Sequence, residues 1–452
     1  MSQTDSLLAG QEGHHWLPRF LRPPTAAEPI REPEMVAERY AHFRPRVLFW
    51  STAGYATFYF VRKNLPVAMP VMMQLLGLSK TAMGLVITLH GVTYGVSKFL
   101  NGIVADRANA RCFMAVALIA AALVNFCFGF SSTIVFFGLF WVLNGWVQGM
   151  GYPPCARLLS HWFSPKELAT KMSYWNASHA FGGGGILILC GYLVVHFGWR
   201  SCFYVPAVIA LAIAGLLLAN LRDTPESVGL PPVEGTKLTR HDEVESAVEF
   251  KQFLWERVFC DKYIWLVSAA NFFVYTIRFA AYDWGPTLLK ETKGIEIEHA
   301  AWMVAGFEFA GLGGMLLTGW LTDRVFKGRA VPLSLICMIL CGVSIFLFWK
   351  LPPHHMILNE ALLCSIGFFV YGPQALVAVV VVNLATKRAA ATAVGLTSIF
   401  GYASTVLSGY GLGWLVQNYG WPPAFACLIG VAAIGAFLFA LALPAKAHGY
   451  AD

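Results

Sequence analysis

Long runs of hydrophobic residues recur along the whole chain, separated by short polar stretches. A helix of about 20 apolar residues is long enough to cross the hydrocarbon core of a bilayer. We place the runs at 47–73, 82–104, 112–130, 132–156, 171–196, 201–220, 262–289, 299–321, 331–349, 357–385, 391–416 and 422–443. The pattern predicts an all-α integral membrane protein with twelve transmembrane helices.

Cationic residues are concentrated in alternate loops between these runs. Arg107 follows the second run, Arg222 the sixth and Arg324 the eighth, whereas most of the intervening loops carry few cations. Cytoplasmic loops of membrane proteins are enriched in Lys and Arg. The asymmetry therefore predicts a multi-pass protein of the cell (inner) membrane with both termini in the cytosol.

The polar segments divide the chain into five parts. Residues 1–46 are polar and rich in proline and predict a cytosolic tail, and residues 444–452 predict a second one. The longest interruption, 221–261, carries a charged run and predicts a cytosolic linker. It separates two bundles of six helices each, 47–220 and 262–443.

The two halves share a GxxxDR motif after their second helix. Asp106 and Arg107 belong to the first copy, and Asp323 and Arg324 belong to the second copy, 217 positions later. We predict that these loops act as cytoplasmic latches between neighbouring helices. Repeated halves are typical of transporters, so the motif predicts the major facilitator arrangement of two pseudo-symmetric halves. The alternative is that GxxxDR is a stop-transfer loop and that the YxxR string, which the two halves also share, arises by chance.

A second repeat places one arginine inside the first helix of each half. Tyr59 stands three residues before Arg62, and Tyr275 stands three residues before Arg278, with 216 positions between the arginines. A charge within the hydrocarbon layer costs roughly 2.5 kcal/mol or more unless it faces a polar cavity or a partner. A guanidinium fork suits bidentate contact with phosphate or carboxylate. We predict a clamp of two arginines around one anion, between the halves.

Helical spacing adds further polar side chains to this predicted site. Tyr55, Tyr59 and Arg62 stand at spacings of four and three, so we predict that they share one face of the first helix. Lys98 lies in the second run, one turn after Tyr94, and either faces the cavity, which we favour, or extends toward the cytosol. His179 stands alone in its run, and the residues leave packing and binding evenly balanced for it.

Acidic residues inside the runs offer an alternative partner for the cations. Asp283 and Glu308 could each balance an arginine in a purely structural pair. Lys63 lies about 100° around a helix from Arg62. We predict that Lys63 pairs with Glu308 across the interface between the halves.

Composition and motifs argue against several other classes of protein. Hydrophobic residues make up 57% of the chain and charged residues 13%, which a water-soluble globule would not show. The net charge of +7 follows the loop asymmetry, so we expect no nucleic-acid partner. The ten cysteines have no CxxC or Cys/His ligand spacing, and Gly182–Gly185 are not followed by GK[ST], so we expect no metal and no cofactor.

Several separated motifs resemble the organophosphate:phosphate antiporter family of the major facilitator superfamily. They are FYFVRKN, YGVSKF, GMGYPPCARLLSHWFSPKE, WNASHAFGGG and YDWGPTLLKETKG, and the resemblance extends from about Arg39 to the last run. It implies that Arg62 and Arg278 contact phosphate, that Lys98 is the lysine of YGxSK, and that His179 is a site residue. It also implies a monomer. Other stretches are similar to the hexose-phosphate sensors of this family.

The function that we expect is exchange of a phosphorylated small organic molecule for inorganic phosphate by alternating access. A sugar phosphate such as glucose 6-phosphate is the expected ester, with glycerol 3-phosphate or phosphoglycerate as alternatives. A second hypothesis is a membrane sensor of hexose phosphate that acts with a histidine kinase. A membrane hydrolase is disfavoured because the runs show no His/Asp or Ser/His pairing, so we expect no enzyme.

Overall fold

The computed structural model describes residues 17–105, 107–233 and 255–445, and its regular elements in these ranges are helices. The α-helices are α1 Pro33–Phe60, α2 Leu65–Leu76, α3 Lys80–Ala105, α4 Ala110–Phe130, α5 Ile134–Gln148, α6 Tyr152–Trp162, α7 Pro165–His196, α8 Ser201–Asn220, α9 Lys262–Lys293, α10 Ile297–Arg324, α11 Ala330–Lys350, α12 Met356–Ala403, α13 Leu412–Tyr419 and α14 Trp421–Leu441. This architecture confirms the predicted all-α membrane fold.

Nine helical stretches in the described residues are long and apolar enough to cross a membrane. The predicted first, second and eleventh spans are not among these nine. The first consists of α1 and α2 with a break between them, and the eleventh is interrupted by a π-helical turn at Val406–Gly411. The second, α3, carries polar residues such as Lys98. These less apolar segments are the ones that contribute most of the polar residues of the central cavity.

Helix α12 covers both the tenth and the eleventh predicted spans. Tyr371 and Tyr402 each lie against α9, since the Arg278 Cζ atom is 4.4 Å from the Tyr371 ring centroid and the Tyr275 ring centroid is 6.3 Å from that of Tyr402. A straight helix would place Tyr371 and Tyr402 about 46 Å apart. The chain therefore reverses direction between these two tyrosines.

The first predicted span is not a continuous helix, and that prediction was wrong. α1 ends at Phe60 and α2 begins at Leu65, so Arg62 and Lys63 lie in the break between them. Pro66 explains the break, because proline has no N–H for the carbonyl of residue 62 and its ring would clash with that carbonyl. The equivalent position in the second half is Tyr282, and α9 continues through Arg278.

Buried asparagines hold the break in one conformation. The Val61 carbonyl accepts hydrogen bonds from the Nδ2 atoms of Asn125, at 2.8 Å, and Asn144, at 2.9 Å. Asn64 donates to Asn125 Oδ1 at 2.8 Å and to the Cys202 carbonyl at 2.9 Å. The Val61 carbonyl at the break thus finds its hydrogen-bond partners inside the protein, as a site within the membrane requires.

The halves meet toward the end of the molecule that carries the α2–α3 and α9–α10 connections, which we call the closed end. There α3 packs on the π-helical turn so closely that a Cβ added to Gly84 would lie 2.4 Å from the Gly409 carbonyl oxygen. Lys80 Nζ and Glu291 Oε1 form an ion pair of 3.1 Å at the same end. Small residues permit such close contact between membrane helices.

The segment before α1 packs on the opposite end of the first half. Leu17 is buried with Ala108 and Phe113. The Leu21 carbonyl accepts from the Asn109 N–H at 2.8 Å. The predicted N-terminal tail, 1–46, therefore includes both a docked segment and the beginning of α1, while residues 1–16, most of the linker and the last residues of the chain lie outside the described residues.

Candidate anion-binding site

A cavity of about 170 Å³ lies between the two halves. Ten residues that the sequence singled out line it: Tyr55, Tyr59, Arg62, Lys63, Tyr94, Lys98, His179, Tyr275, Arg278 and Asp283. The cavity is rich in cations and phenol groups, and both halves contribute to it.

Arg62 is held between two aromatic rings. Its Cζ atom is 4.2 Å from the ring centroid of Tyr59 and 5.0 Å from that of Tyr94. Its buried Nε atom has no hydrogen-bond partner among the described residues. The rings stabilise the charge through cation–π contact, and the break between α1 and α2 directs this guanidinium into the cavity with donor capacity to spare.

Arg278 occupies the matching place in the second half. Its Cζ atom is 4.4 Å from the Tyr371 ring centroid and 5.9 Å from that of Tyr275. The Tyr371 hydroxyl donates to the Glu308 carboxylate. Glu308 is 1% exposed and lies behind this tyrosine instead of lining the cavity. The Glu308 carboxylate, one of the acids considered as a partner for an arginine, is thus hydrogen-bonded to Tyr371.

Lys63 pairs with Asp283, so the predicted pair with Glu308 was wrong. The Lys63 Nζ atom lies 2.7 Å from Asp283 Oδ1, and both side chains are largely buried. The break in the first span turns Lys63 toward α9, whereas Tyr371 occupies Glu308. This ion pair connects the two halves at the cavity wall.

His179 lies against the tyrosines of the first half. Its ring centroid is 5.1 Å from that of Tyr55 and 5.5 Å from that of Tyr59. Its Nδ1 atom donates to the Asn176 carbonyl at 2.8 Å, which leaves Nε2 as the nitrogen that can face a ligand.

Lys98 marks the passage from the cavity to the end opposite the closed end, which we call the open end. Its Nζ atom is 4.5 Å from the Tyr152 ring centroid and 5.6 Å from that of Tyr402. Lys98 and Tyr152 also line a wider groove of about 610 Å³ that continues past Gly102 and His161. Lys98 therefore faces the cavity, the first of the two positions considered for it.

The GxxxDR loops lie away from the cavity. Arg107, Asp323 and Arg324 are exposed, and Asp106 lies outside the described residues. The latch role remains a prediction for all four.

Sequence reasoning missed several residues that line the cavity. They are Leu65, Pro66, Ile87, His90, Gly91, Trp141, Tyr152, Phe279, Gln374, Tyr402 and Thr405. The available signal was a polar or aromatic side chain inside an apolar run, such as His90 one turn before Tyr94. That signal is weak because packing determines which face of each helix points inward. Among the described residues, no group of three His, Cys, Asp or Glu side chains could hold a metal ion.

Two helical halves around a polar cavity define the class of secondary transporters. The chain belongs to the Major Facilitator Superfamily, whose family model matches residues 52–409.

Similar sequences confirm the organophosphate branch of this superfamily. The chain is 38% identical to the "Probable hexose phosphate transport protein" of Chlamydia pneumoniae, over 93% of this chain and 96% of that protein. It is 38% identical to the "Glycerol-3-phosphate transporter" of Bacillus subtilis (strain 168), over 89% of this chain and 93% of that protein. It is 36% identical to the "Membrane sensor protein UhpC" of Escherichia coli (strain K12), over 93% and 96%.

Solved structures share the fold at low sequence identity. A bacterial homolog of the human lysosomal transporter Spinster, in an inward-facing and occupied conformation, aligns with a TM-score of 0.71 and 15% identity, over 88% of this chain and 97% of that chain. The nucleoside transporter NupG aligns with a TM-score of 0.67 and 15% identity, over 88% and 99%.

Proposed function

We propose that this protein is an antiporter that exchanges a phosphorylated small organic molecule, with a sugar phosphate as the expected ester, for inorganic phosphate. One observation carries the proposal: Arg62 and Arg278, one from each half, line a single cavity between the halves. The names of the hexose phosphate and glycerol-3-phosphate relatives support phosphate esters as the substrates.

The charges suggest why exchange would be obligatory. Closing an empty cavity brings two arginines together in a low-dielectric space, where two like charges cost several kcal/mol at an effective dielectric constant of about 20. A bound phosphate anion removes this cost by contacting both guanidinium groups. The loaded carrier can therefore change conformation, and the empty carrier is held back.

The path of the substrate follows from the two ends of the molecule. We infer from the cations of the alternate loops that the open end faces the cytosol, and the described conformation would then be the inward-facing one. Rocking of the halves would open the contact between α3 and the π-helical turn and close the groove beside Lys98. The Lys63–Asp283 pair lies on the boundary that must move and would act as a gate.

Substitution of either arginine by lysine tests the clamp. We expect Arg62→Lys and Arg278→Lys each to lower exchange of labelled phosphate in proteoliposomes by about 10- to 100-fold, because each removes bidentate hydrogen bonds worth about 1.5–3 kcal/mol. Arg46→Lys is the matched control, since Arg46 is exposed and outside the cavity. Full exchange by both clamp variants would refute the proposal.

A sensor of hexose phosphate is the second candidate, favoured by the similarity to UhpC. Such a protein would keep the same cavity and would signal to a histidine kinase. Ligand-induced thermal stabilisation by phosphate esters, without any exchange of phosphate, would favour the sensor. In either case we propose a monomer in the cell membrane with both termini in the cytosol.

A further inference from the structure

His90 lies in the part of the cavity wall that leads from the two arginines to the closed end. It stands one helical turn, about 6 Å along α3, from Tyr94, whose ring contacts Arg62. The turn from Tyr94 to His90 runs toward Lys80, at the closed end. Lys63 and Asp283 line the same part of the cavity, because Lys63 follows Arg62 and Asp283 lies five residues beyond Arg278 on α9.

The hydrogen bonds of His90 determine what it can offer a ligand. Its Nδ1 atom lies 3.0 Å from the Trp141 carbonyl oxygen, and a carbonyl only accepts, so Nδ1 carries the proton. In the neutral imidazole the other ring nitrogen, Nε2, then carries no proton. Nε2 is therefore an acceptor, and this buried atom has no partner among the described residues.

An acceptor in this position contrasts with the rest of the site. Arg62, Arg278 and Lys98 can only donate hydrogen bonds, which suits the oxygens of a phosphate group. Nε2 of His90 requires a donor, and the phosphate group of an ester dianion has none, so the donor has to come from the organic part. A buried acceptor without a partner costs about 1–3 kcal/mol, so an ester whose organic part places an O–H group at Nε2 gains this hydrogen bond.

We propose that His90 determines substrate specificity by accepting a hydrogen bond from a hydroxyl of the ester, whose organic part extends from the arginines toward the closed end. This proposal rests on the proposed function. The substrate class is a phosphate ester with a neutral, hydroxylated organic part. A carboxylate in the organic part of the ester is disfavoured there, because it would place more acceptors beside Nε2 and the Asp283 carboxylate.

His90→Phe tests the proposal, since it keeps an aromatic ring against Trp141 and removes the acceptor. The assay is competition of glucose 6-phosphate, glycerol 3-phosphate and 3-phosphoglycerate against labelled phosphate in proteoliposomes. We expect the two hydroxylated, carboxylate-free esters to compete about 3- to 10-fold less well relative to unlabelled phosphate, the effect of one hydrogen bond worth about 0.5–1.5 kcal/mol. The advantage of these esters over phosphoglycerate should shrink accordingly.

His299→Phe is the matched control. Its Nε2 atom is also buried without a partner among the described residues, but His299 does not line the cavity. We expect it to leave both phosphate exchange and ester competition unchanged.

The possible outcomes separate this inference from the proposed function. An equal loss of phosphate exchange and ester competition in His90→Phe, or no change in either, would overturn the role of His90 while the antiporter stands. If the wild type exchanges no phosphate, the antiporter fails. Thermal stabilisation of the wild type and of His90→Phe by the same esters and by phosphate would then decide whether His90 selects hydroxylated ligands.

Discussion

Lys63 and Asp283 form an ion pair that affects stability strongly, because both charges are largely removed from water. Their side chains are 15% and 10% exposed, and their charged atoms lie 2.7 Å apart. Two charges removed from water are tolerated when each compensates the other, and removing one partner leaves an uncompensated charge. The pair therefore links the two halves in the described conformation.

Removing one member of this pair should destabilise the protein. We expect Lys63→Met to lower the free energy of unfolding by roughly 3–5 kcal/mol, because Asp283 is left buried and unpaired. Thermal unfolding in detergent measures the effect. Adding Asp283→Leu should restore most of the loss, whereas adding Glu308→Gln should not. Recovery with Glu308→Gln instead would indicate that Glu308 is the partner.

Sequence reasoning found the charged residues of this site but did not find their partners. The cost of a charge in an apolar run identified Arg62, Lys63, Asp283 and Glu308 directly. Which acid meets Lys63 depends on where Tyr371 lies, because its hydroxyl occupies Glu308. Tyr371 is 63 residues from Glu308 in the chain, and no periodicity connects two positions on different helices.

At the level of secondary-structure elements, α3 packs in close contact with the π-helical turn. A Cβ at Gly84 would lie 2.4 Å from the Gly409 carbonyl oxygen, and a Cβ at Gly409 would lie 2.5 Å from Thr88 Oγ1. The first obstacle is backbone, which cannot move aside as a side chain can. The closed end thus depends on glycine at this crossing.

Gly84→Ala should prevent tight closure at this end. We expect at least about a 10-fold loss of phosphate exchange, because helices forced apart at the crossing cost of order 1–3 kcal/mol in strain. Initial exchange rates in proteoliposomes measure the loss. Gly215→Ala in α8 is the control, since a Cβ there would meet nothing within 4 Å and Gly215 does not line the cavity. Equal rates for both variants would argue against this crossing as a gate.

The break between α1 and α2 distinguishes the two halves at the level of elements. Pro66 breaks the first span, and the second half has Tyr282 at the equivalent place. The rule for proline would have predicted the break from the sequence. The asparagines that satisfy it, Asn125 and Asn144, belong to α4 and α5 and could not be assigned to it from the sequence.

At the scale of the whole molecule, the docked N-terminal segment contacts parts of the first half that are distant from it in the sequence. The Ala27 N–H donates to the Glu226 carbonyl at 3.0 Å, and the Ile30 N–H donates to the Gly229 carbonyl at 2.8 Å. Together with the contact of Leu21 and Asn109, these bonds join the beginning of the chain to the α3–α4 loop and to the segment after α8.

Deleting residues 1–31 should lower stability without changing transport by the folded protein. The deletion removes these backbone hydrogen bonds and the burial of Leu17, which is 3% exposed, and leaves the cavity intact. Thermal unfolding and the affinity for phosphate measure the two parts. Deletion of residues 1–16 is the control, because it removes none of these contacts. A changed affinity for phosphate would show that the segment acts on the site.

The sequence by itself determined the membrane class, the two halves and the arginine pair, because apolar length, loop charge and a repeat at one offset are local properties of the chain. The tertiary structure decided the partners: Lys63 with Asp283, Glu308 with Tyr371, and His90 on the cavity wall. The physical reason is that a charged residue inside an apolar run can be recognised from its neighbours in the sequence. The group that compensates its charge lies on another helix, and only the packing of the helices determines which group that is.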